Sequence, residues 1–320
     1  MKAAIYEQPG NPSVLHLAEV PDPVAADDDL LIRVEAISIE GGDLVGRRET
    51  TPSGPTDILG YAAAGEILQV GRAVTGFKVG QKVTGFNFKG SHAELRAVPA
   101  ATSWLVPDGL DIKVAAAIPA GPGTAAYTLK LGALKPAETV LIQGAAGGVG
   151  LAAVQLAAKV GARVIGTGTR SETLEELHGY GLSDAIVVTA DKPASEQIRA
   201  LLGGNAVDLL IDNVGGTALV DGLHVVRDGG RGVIVGVFGG RNQPIDAGHL
   251  LVHRQTVIGC LLGPVMGEPD VHALIDDLLQ QALRGELKVP IDATFTLAEA
   301  AAAHRRAEER GRIGRVIMVP

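Results

Sequence analysis

Two rhythms of apolar and polar residues share this chain, and one gives way to the other near Pro122. Before that point, short β-like runs at 30–34, 64–70 and 93–98 are separated by Gly, Pro and Asp. This is the pattern of an all-β, partly barrelled domain. After it, apolar runs alternate with longer helical stretches. Strands are predicted at 139–144, 162–167, 184–188, 207–212, 231–237 and 255–262, and helices at 148–160, 171–180, 193–202 and 216–227. Strand–helix alternation of this kind requires right-handed crossovers and so a doubly wound parallel sheet. Beyond Gly263 the pattern predicts a helix over 270–284, a packed alanine-rich helix at 298–303 and a closing strand near 315–319.

Composition narrows the picture. At 320 residues the chain is long for a single core, so two domains are expected. Aromatic residues make up 3%, so the cores must rest on Ala, Val, Leu and Ile. A net charge of −8 argues against a nucleic-acid binder, whose footprint is a basic face. The lone cysteine, Cys260, rules out an intrachain disulfide and sits in a strand-like run, which makes it a core or interface residue. No secretory signal is evident in residues 1–12 and no apolar run reaches membrane-spanning length, so no membrane partner and a cytoplasmic location are expected.

The densest chemical signal lies in Gln143-Gly144-Ala145-Ala146-Gly147-Gly148-Val149-Gly150, between the strand-like Thr139-Val140-Leu141-Ile142 and an alanine-rich helical run. Strand, glycine turn and helix together aim unpaired backbone N–H groups and a helix dipole at a pyrophosphate. Glycine is required where a Cβ would block the turn, the phosphate approach or the packing of helix on strand. Dinucleotide binding is the reading.

The loop, preceded by Gly121-Pro122-Gly123-Thr124-Ala125-Ala126-Tyr127, resembles the zinc-independent quinone oxidoreductases of the medium-chain dehydrogenase/reductase superfamily. The resemblance extends to Lys2-Ala3-Ala4-Ile5, to the segment 57–67, to Val207-Asp208-Leu209-Leu210-Ile211-Asp212-Asn213-Val214-Gly215-Gly216 and to Gly314-Arg315-Val316-Ile317-Met318. It implies an α/β protein with a GroES-like β-rich catalytic domain (1–121 and 264–320) and a Rossmann doubly wound parallel-sheet domain (122–263) inserted into it. It also implies hydride transfer from a reduced nicotinamide cofactor to a quinone or an α,β-unsaturated carbonyl compound. An enoyl-thioester reductase, or a nucleotide-binding sensor with little turnover, are the alternatives.

Site residues follow from the same correspondence. Ala146, Gly147, Gly148 and Val149 should meet the pyrophosphate, and Thr124 the nicotinamide ribose or amide. Asn213 and Val214 should flank the adenine side or ribose, Phe238 and Gly239 lie at the carboxyl edge of the sheet, and Leu262 and Gly263 approach the carboxamide. In NAD-binding units a carboxylate ends the second strand. Here Gly168 stands there, leaving space, followed by Thr169 and Arg170, whose hydroxyl and guanidinium suit a 2′-phosphate. NADPH is therefore the expected cofactor. Arg312 and Arg315 either face that phosphate or are solvated charges.

The positions of the zinc ligands in metal-dependent relatives are held by Glu40, Tyr61, Ala62 and Ala120. Catalytic zinc needs about three N, S or O ligands, so no metal is expected; His249 and His253, at helical spacing, lack a third ligand. A quinone or enone accepts hydride without a strong Lewis acid, which leaves the protein to position it and stabilise the developing oxyanion. Tyr61 either hydrogen-bonds or stacks on the acceptor, or fills the vacated metal pocket. Asp43 and Glu40 line the same region, and a buried Glu40 of raised pKa could donate a proton, whereas an exposed or ion-paired one could not. His92 is either near the cleft or structural. The strand around 256–261 would leave an apolar sheet edge, so a homodimer is expected.

Overall fold

The computed structural model describes every residue except 190, 205 and 243. The chain divides into two compact units. One comprises Met1–Gly123, Leu262–Arg310 and Gly314–Pro320, the other Thr124–Leu261 and Gly311–Ile313.

The second unit is built on a six-stranded parallel sheet ordered Asp184–Val187, Arg163–Gly168, Thr139–Gln143, Val207–Asp212, Val226–Ile234, Thr256–Gly259. The order runs outward from Thr139–Gln143 in one direction and restarts from Val207–Asp212 in the other, as in a Rossmann fold. Ligands bind such sheets in the crevice at this reversal. Val140, Ile142, Val164, Leu209 and Ile211 pack against the buried face of the helix Gly148–Val160, whose Leu151, Ala152, Ala153, Val154 and Ala157 point inward. Small alanines let this helix lie close to the strands, which suits a chain so poor in aromatic side chains.

Three boundaries differ from the sequence pattern for local reasons. The predicted helix 171–180 tightens into a 3-10 turn after Glu176 and stops at the left-handed Gly181. The helix expected to reach residue 227 covers only Thr217–Leu223, and the next strand already starts at Val226, pairing with Val207. Arg227-Asp228-Gly229-Gly230 carry no apolar signal and form an irregularity in the ladder, which passes from the Val207–Val226 pair to Leu209–Arg231. A helix at Ala247–His253 stands where the apolar pattern predicts none; Asp246 caps it by accepting from the amides of Gly248 and His249.

The first unit is β-rich. A seven-stranded sheet runs Ile291–Thr296, Arg315–Val319, Asp29–Ser38, Ala62–Val70, Lys82–Phe86, Ser103–Leu105, with Leu95–Pro99 also paired to Asp29–Ser38. A small hairpin pairs Lys2–Ile5 with His16–Glu19. Its core gathers Leu30, Ile32, Val34, Ile37, Ala63, Ile67, Val83, Val98, Val316 and Met318 with Ala300, Ala303 and Ala307 of the helix Ala300–Glu308. This is a GroES-like domain. Leu262 and Gly263 belong to this unit, whereas the short segment Gly311–Ile313 belongs to the other.

Candidate functional site

In the sheet unit, the glycine loop joins strand Thr139–Gln143 to helix Gly148–Val160. Gly144 takes a left-handed φ of 66°, and the Gly147 amide closes the turn onto its carbonyl at 3.1 Å. A Cβ on Gly150 would lie 2.7 Å from the Ala145 carbonyl oxygen, so only glycine lets the helix approach the strand here. Gly147 is the N-cap and offers no side-chain cap. The first-turn amides therefore have no intrahelical acceptor and face the open side of the loop with the positive end of the dipole. The loop fits an anionic diphosphate.

The neighbouring strand ends meet this loop. Asn213 donates through Nδ2 to the Gln143 carbonyl at 2.9 Å, and its Oδ1 is buried without a partner. Val214 lies beside Gly144. Asp212, unmarked by any motif above, is fully buried and accepts from the amides of Val214 and Gly215 at 2.9 and 3.0 Å, so it shapes this turn. Burial raises its pKa. The Gly239 amide bonds the Val214 carbonyl at 2.7 Å, which brings the 238–239 loop against 213–216; Phe238 is exposed there. Thr124 begins the unit within the helix Gly121–Leu131.

At the end of Arg163–Gly168, Thr169 and Arg170 are exposed, and among the described residues the Arg170 side chain makes no hydrogen bond or ion pair, its carbonyl accepting from the Leu174 amide at 3.2 Å. Its side chain crosses Gly311, where a Cβ would lie 2.8 Å from Nε. Gly168 is less open than the sequence suggested: a Cβ there would stand 3.0 Å from Leu174 Cδ2. Packing against Leu174, as well as room for a phosphate, keeps a carboxylate out of this position.

In the β-rich unit, Glu40 is the N-cap of the helix Gly41–Glu49. Its carboxylate is buried, ion-paired with Arg315, and accepts from Ser38 Oγ at 2.7 Å. Glu40 is thus committed to an ion pair, which runs against the proton-donor reading. Arg315 also donates to the Ile39 carbonyl at 3.0 Å, so it is a buried structural residue and not a phosphate ligand. Asp43 is fully buried; it accepts from the Glu40 amide at 2.8 Å and the Tyr61 amide at 3.1 Å. Burial pushes its pKa up to about 8, opposed by those two amides and reinforced by the charge of Glu40.

Tyr61 is half-buried at the centre of a ring cluster that the sequence did not reveal. Its centroid lies 5.4 Å from Phe86 and 5.6 Å from Phe88, which are 5.3 Å from each other, all three pairs edge-to-face. Such pairs contribute about 0.5–1.5 kcal/mol each beyond area burial. A Cβ on Gly42 would collide with the Tyr61 ring, and one on Gly263 would lie 2.9 Å from Phe88 Cε1. Leu262 is buried next to Gly123. Arg96, also unremarked in the sequence, is buried and donates to the carbonyls of Tyr61, Gly85, Asn87 and Lys89 at 2.8–3.2 Å. Burial lowers its pKa to about 9. The signal available was the Phe86-Asn87-Phe88 spacing in a chain that has only five phenylalanines.

His92 resolves as structural. It is fully buried, with Nε2 2.8 Å from Nε2 of His304 and Nδ1 3.1 Å from Ser91 Oγ. Burial drives its pKa down to about 3 and that of His304 well below the usual value. His249 and His253 stack in a row with His224, and His253 Nδ1 meets Asp228 at 2.8 Å. Among the described residues no group of three or more His, Cys, Asp or Glu is placed to hold a metal ion.

Comparison with known proteins adds the following. Residues 148–280 match the family profile described as zinc-binding dehydrogenase, and residues 26–108 that of the alcohol dehydrogenase GroES-like domain. A quinone oxidoreductase of Pseudomonas aeruginosa is 30% identical over 319 residues, spanning 97% of each chain. The solved structure of Escherichia coli quinone oxidoreductase complexed with NADPH superposes with a TM-score of 0.92 at 25% identity, over 100% of both chains. That of a 2-haloacrylate reductase does so with a TM-score of 0.87 at 28% identity, covering 100% of this chain and 99% of the other.

Proposed function

Because the chain belongs to the quinone oxidoreductase family of the medium-chain dehydrogenase/reductase superfamily, we propose that it is an NADPH-dependent oxidoreductase that reduces quinones or α,β-unsaturated carbonyl compounds without zinc. The observation that carries this reading is the uncapped helix start at Gly147 beside the unpartnered Asn213 Oδ1. An anion site and an orphaned polar atom there await the same nucleotide. NADPH, when bound, supplies hydride from C4 of its dihydronicotinamide.

The chain's own residues do the rest. Ala146, Gly147, Gly148 and Val149 hold the pyrophosphate through backbone amides. Thr169 and the uncommitted Arg170 hold the 2′-phosphate, since Gly168 brings no competing charge. Asn213 and Val214 line the adenosine side, with Phe238 and Gly239 closing the rim. Thr124 faces the nicotinamide end. The side of Leu262 is committed to Gly123 and that of Gly263 to Phe88, so backbone is what they bring to the carboxamide.

On the acceptor side, Tyr61 presents its phenol to the substrate oxygen and its ring to the substrate plane. The Asp43 carboxyl bridges the amides of Tyr61 and Glu40 and so positions rather than reacts, and the Glu40 carboxylate is committed to Arg315 and Ser38. The residues at the family's metal positions do not fit zinc: Tyr61, Ala62 and Ala120 are no ligand set, and Glu40 is already ion-paired.

A homodimer and a cytoplasmic location are part of this reading. The strand Thr256–Gly259 pairs on one side only, with Val226–Ile234, and Leu251, Val252 and Leu261 near it are exposed. No helix among the described residues is long and apolar enough to cross a membrane.

The test is oxidation of NADPH in the presence of 1,4-benzoquinone, 9,10-phenanthrenequinone or an alkenal, with elemental analysis of the same preparation. Turnover with a quinone or the alkenal, by zinc-free protein, is expected. Tight NADPH binding without turnover on any acceptor would replace the enzyme with a nucleotide-responsive protein.

A further inference from the structure

Arg96 is the most unusual buried charge in the β-rich unit. It is 1% exposed, and the acceptors of its hydrogen bonds are all neutral backbone carbonyls. Taking a guanidinium out of water is costly unless its donors are met; both terminal nitrogens are met while Nε is buried without a partner, so the arrangement of those carbonyls matters. They belong to Tyr61, Gly85, Asn87 and Lys89. One is on a ring-bearing residue itself, and the others flank Phe86 and Phe88 on either side.

The strand ladder cannot do this work. Pairing between Ala62–Val70 and Lys82–Phe86 ends at Ala62 opposite Phe86, just where the ring cluster begins. Beyond it, the Asn87 amide still reaches the Tyr61 carbonyl at 3.0 Å, but the carbonyls of Asn87 and Lys89 point inward. Nη2 of Arg96 converges on both of them and on the Tyr61 carbonyl, while Nη1 reaches that of Gly85, in place of the missing ladder. Phe88 is 47% exposed, so this clamped segment presents a ring edge to the outside.

We propose that Arg96 is a positioning residue that holds the Tyr61–Phe86–Phe88 face in the geometry needed to select planar, ring-shaped acceptors. The proposal rests on the reading of Tyr61 as the acceptor-facing residue given under Proposed function. Lysine has a single donor nitrogen, so it cannot hold the Gly85 carbonyl from Nη1 and the other three from Nη2 at once.

The experiment compares Arg96→Lys and Arg96→Met with the wild type on 9,10-phenanthrenequinone and on a small acyclic alkenal, alongside NADPH titration. KM for the quinone should rise roughly tenfold, as expected when an acceptor is mispositioned. The turnover number per folded site, the alkenal KM and the NADPH dissociation constant should stay within about twofold. Equal losses on both acceptors, a fall in turnover number alone, or no change would overturn the proposal, since a merely structural role gives those patterns.

Failure of the functional reading is distinguishable. If the wild type reduces neither acceptor, that reading falls, and Arg96 is judged by the crystal structure of Arg96→Lys: displaced rings sustain the clamp and unmoved rings overturn it. If neither variant folds, nitrogen-15 spectra of the wild-type arginine side chains decide. Protected Arg96 signals that shift when 9,10-phenanthrenequinone is added support the proposal, and signals unmoved by it refute it.

Discussion

The glycine loop at 144–150 and the ring cluster around Tyr61, to which the proposed function assigns the cofactor and the acceptor, are each held rigid with opposite materials. The loop uses backbone: a left-handed Gly144, a close-packed Gly150 and amides left free by an uncapped helix. The cluster uses side chains: three edge-to-face rings, a buried guanidinium on four carbonyls and the Asp43 carboxyl bridging the amides of Glu40 and Tyr61. Backbone sites tolerate change at most positions but not at their glycines. Side-chain sites depend on partners far away in sequence, so single changes there spread through packing.

The sharpest way to separate the two is Arg315→Met. It strands the Glu40 carboxylate in a buried place without its cation, and breaking such pairs costs about 3–5 kcal/mol. Chemical denaturation should show that loss, while the NADPH affinity of the protein that remains folded should be unchanged. A collapse of nucleotide affinity would mean that the two regions are not independent.

Gly150→Val tests the other side. Its side chain would press on the carbonyls of residues 144 and 145, and overpacking of this kind costs about 1–3 kcal/mol. Calorimetry should show NADPH binding weakened roughly a hundredfold, the upper end of that range. Binding within a factor of a few would show that the loop does not carry the pyrophosphate.

Arg170→Ala should weaken NADPH by about tenfold or somewhat more, the worth of a charge-assisted fork, and leave NADH unchanged. Equal effects on both nucleotides, read in parallel titrations, would move the 2′-phosphate elsewhere.

A pH dependence is expected from His92, His304 and Asp43 of the β-rich unit, with Asp212 of the other unit acting in the same sense as Asp43. Below about pH 6.5 the unfolded chain takes up protons at His92 and His304 that the folded chain refuses. Each histidine then weakens the fold as pH falls. Asp43 acts in the opposite sense between its ordinary 3.8 and about 8, because the folded state keeps a proton that the unfolded state releases. Above about pH 6.5 the histidines no longer contribute while Asp43 still does, so the denaturant midpoint should decline from there to about pH 8. Asp43→Asn should flatten the alkaline side; an unchanged decline would place its origin in another group.

Much of the nucleotide unit was legible in the residues. Its strands recur at or within a few residues of the predicted positions, because buried parallel strands read as continuous apolar runs. The strand from Val226 is the exception: after Val226, which pairs with Val207, a polar, glycine-rich irregularity at 227–230 precedes the regular ladder at Arg231, and no apolar run marks it. Tyr61 and Asp43 were picked out by their correspondence to metal positions, yet Phe86, Phe88 and Arg96 were not. Nothing in a run such as Leu95-Arg96-Ala97-Val98 marks its arginine as turned inward. Whether Glu40 stood free or ion-paired was likewise open until the fold set Arg315 against it.

Consecutive residues determined the phosphate loop, since a turn, a free amide and a helix start are local properties of the chain, written within a few positions of one another. The acceptor face was decided only when strands paired. Its rings, its clamp and its ion pair come from segments near 40, 61, 86, 96 and 315, and whether a side chain is buried, ion-paired or exposed depends on what the fold sets beside it.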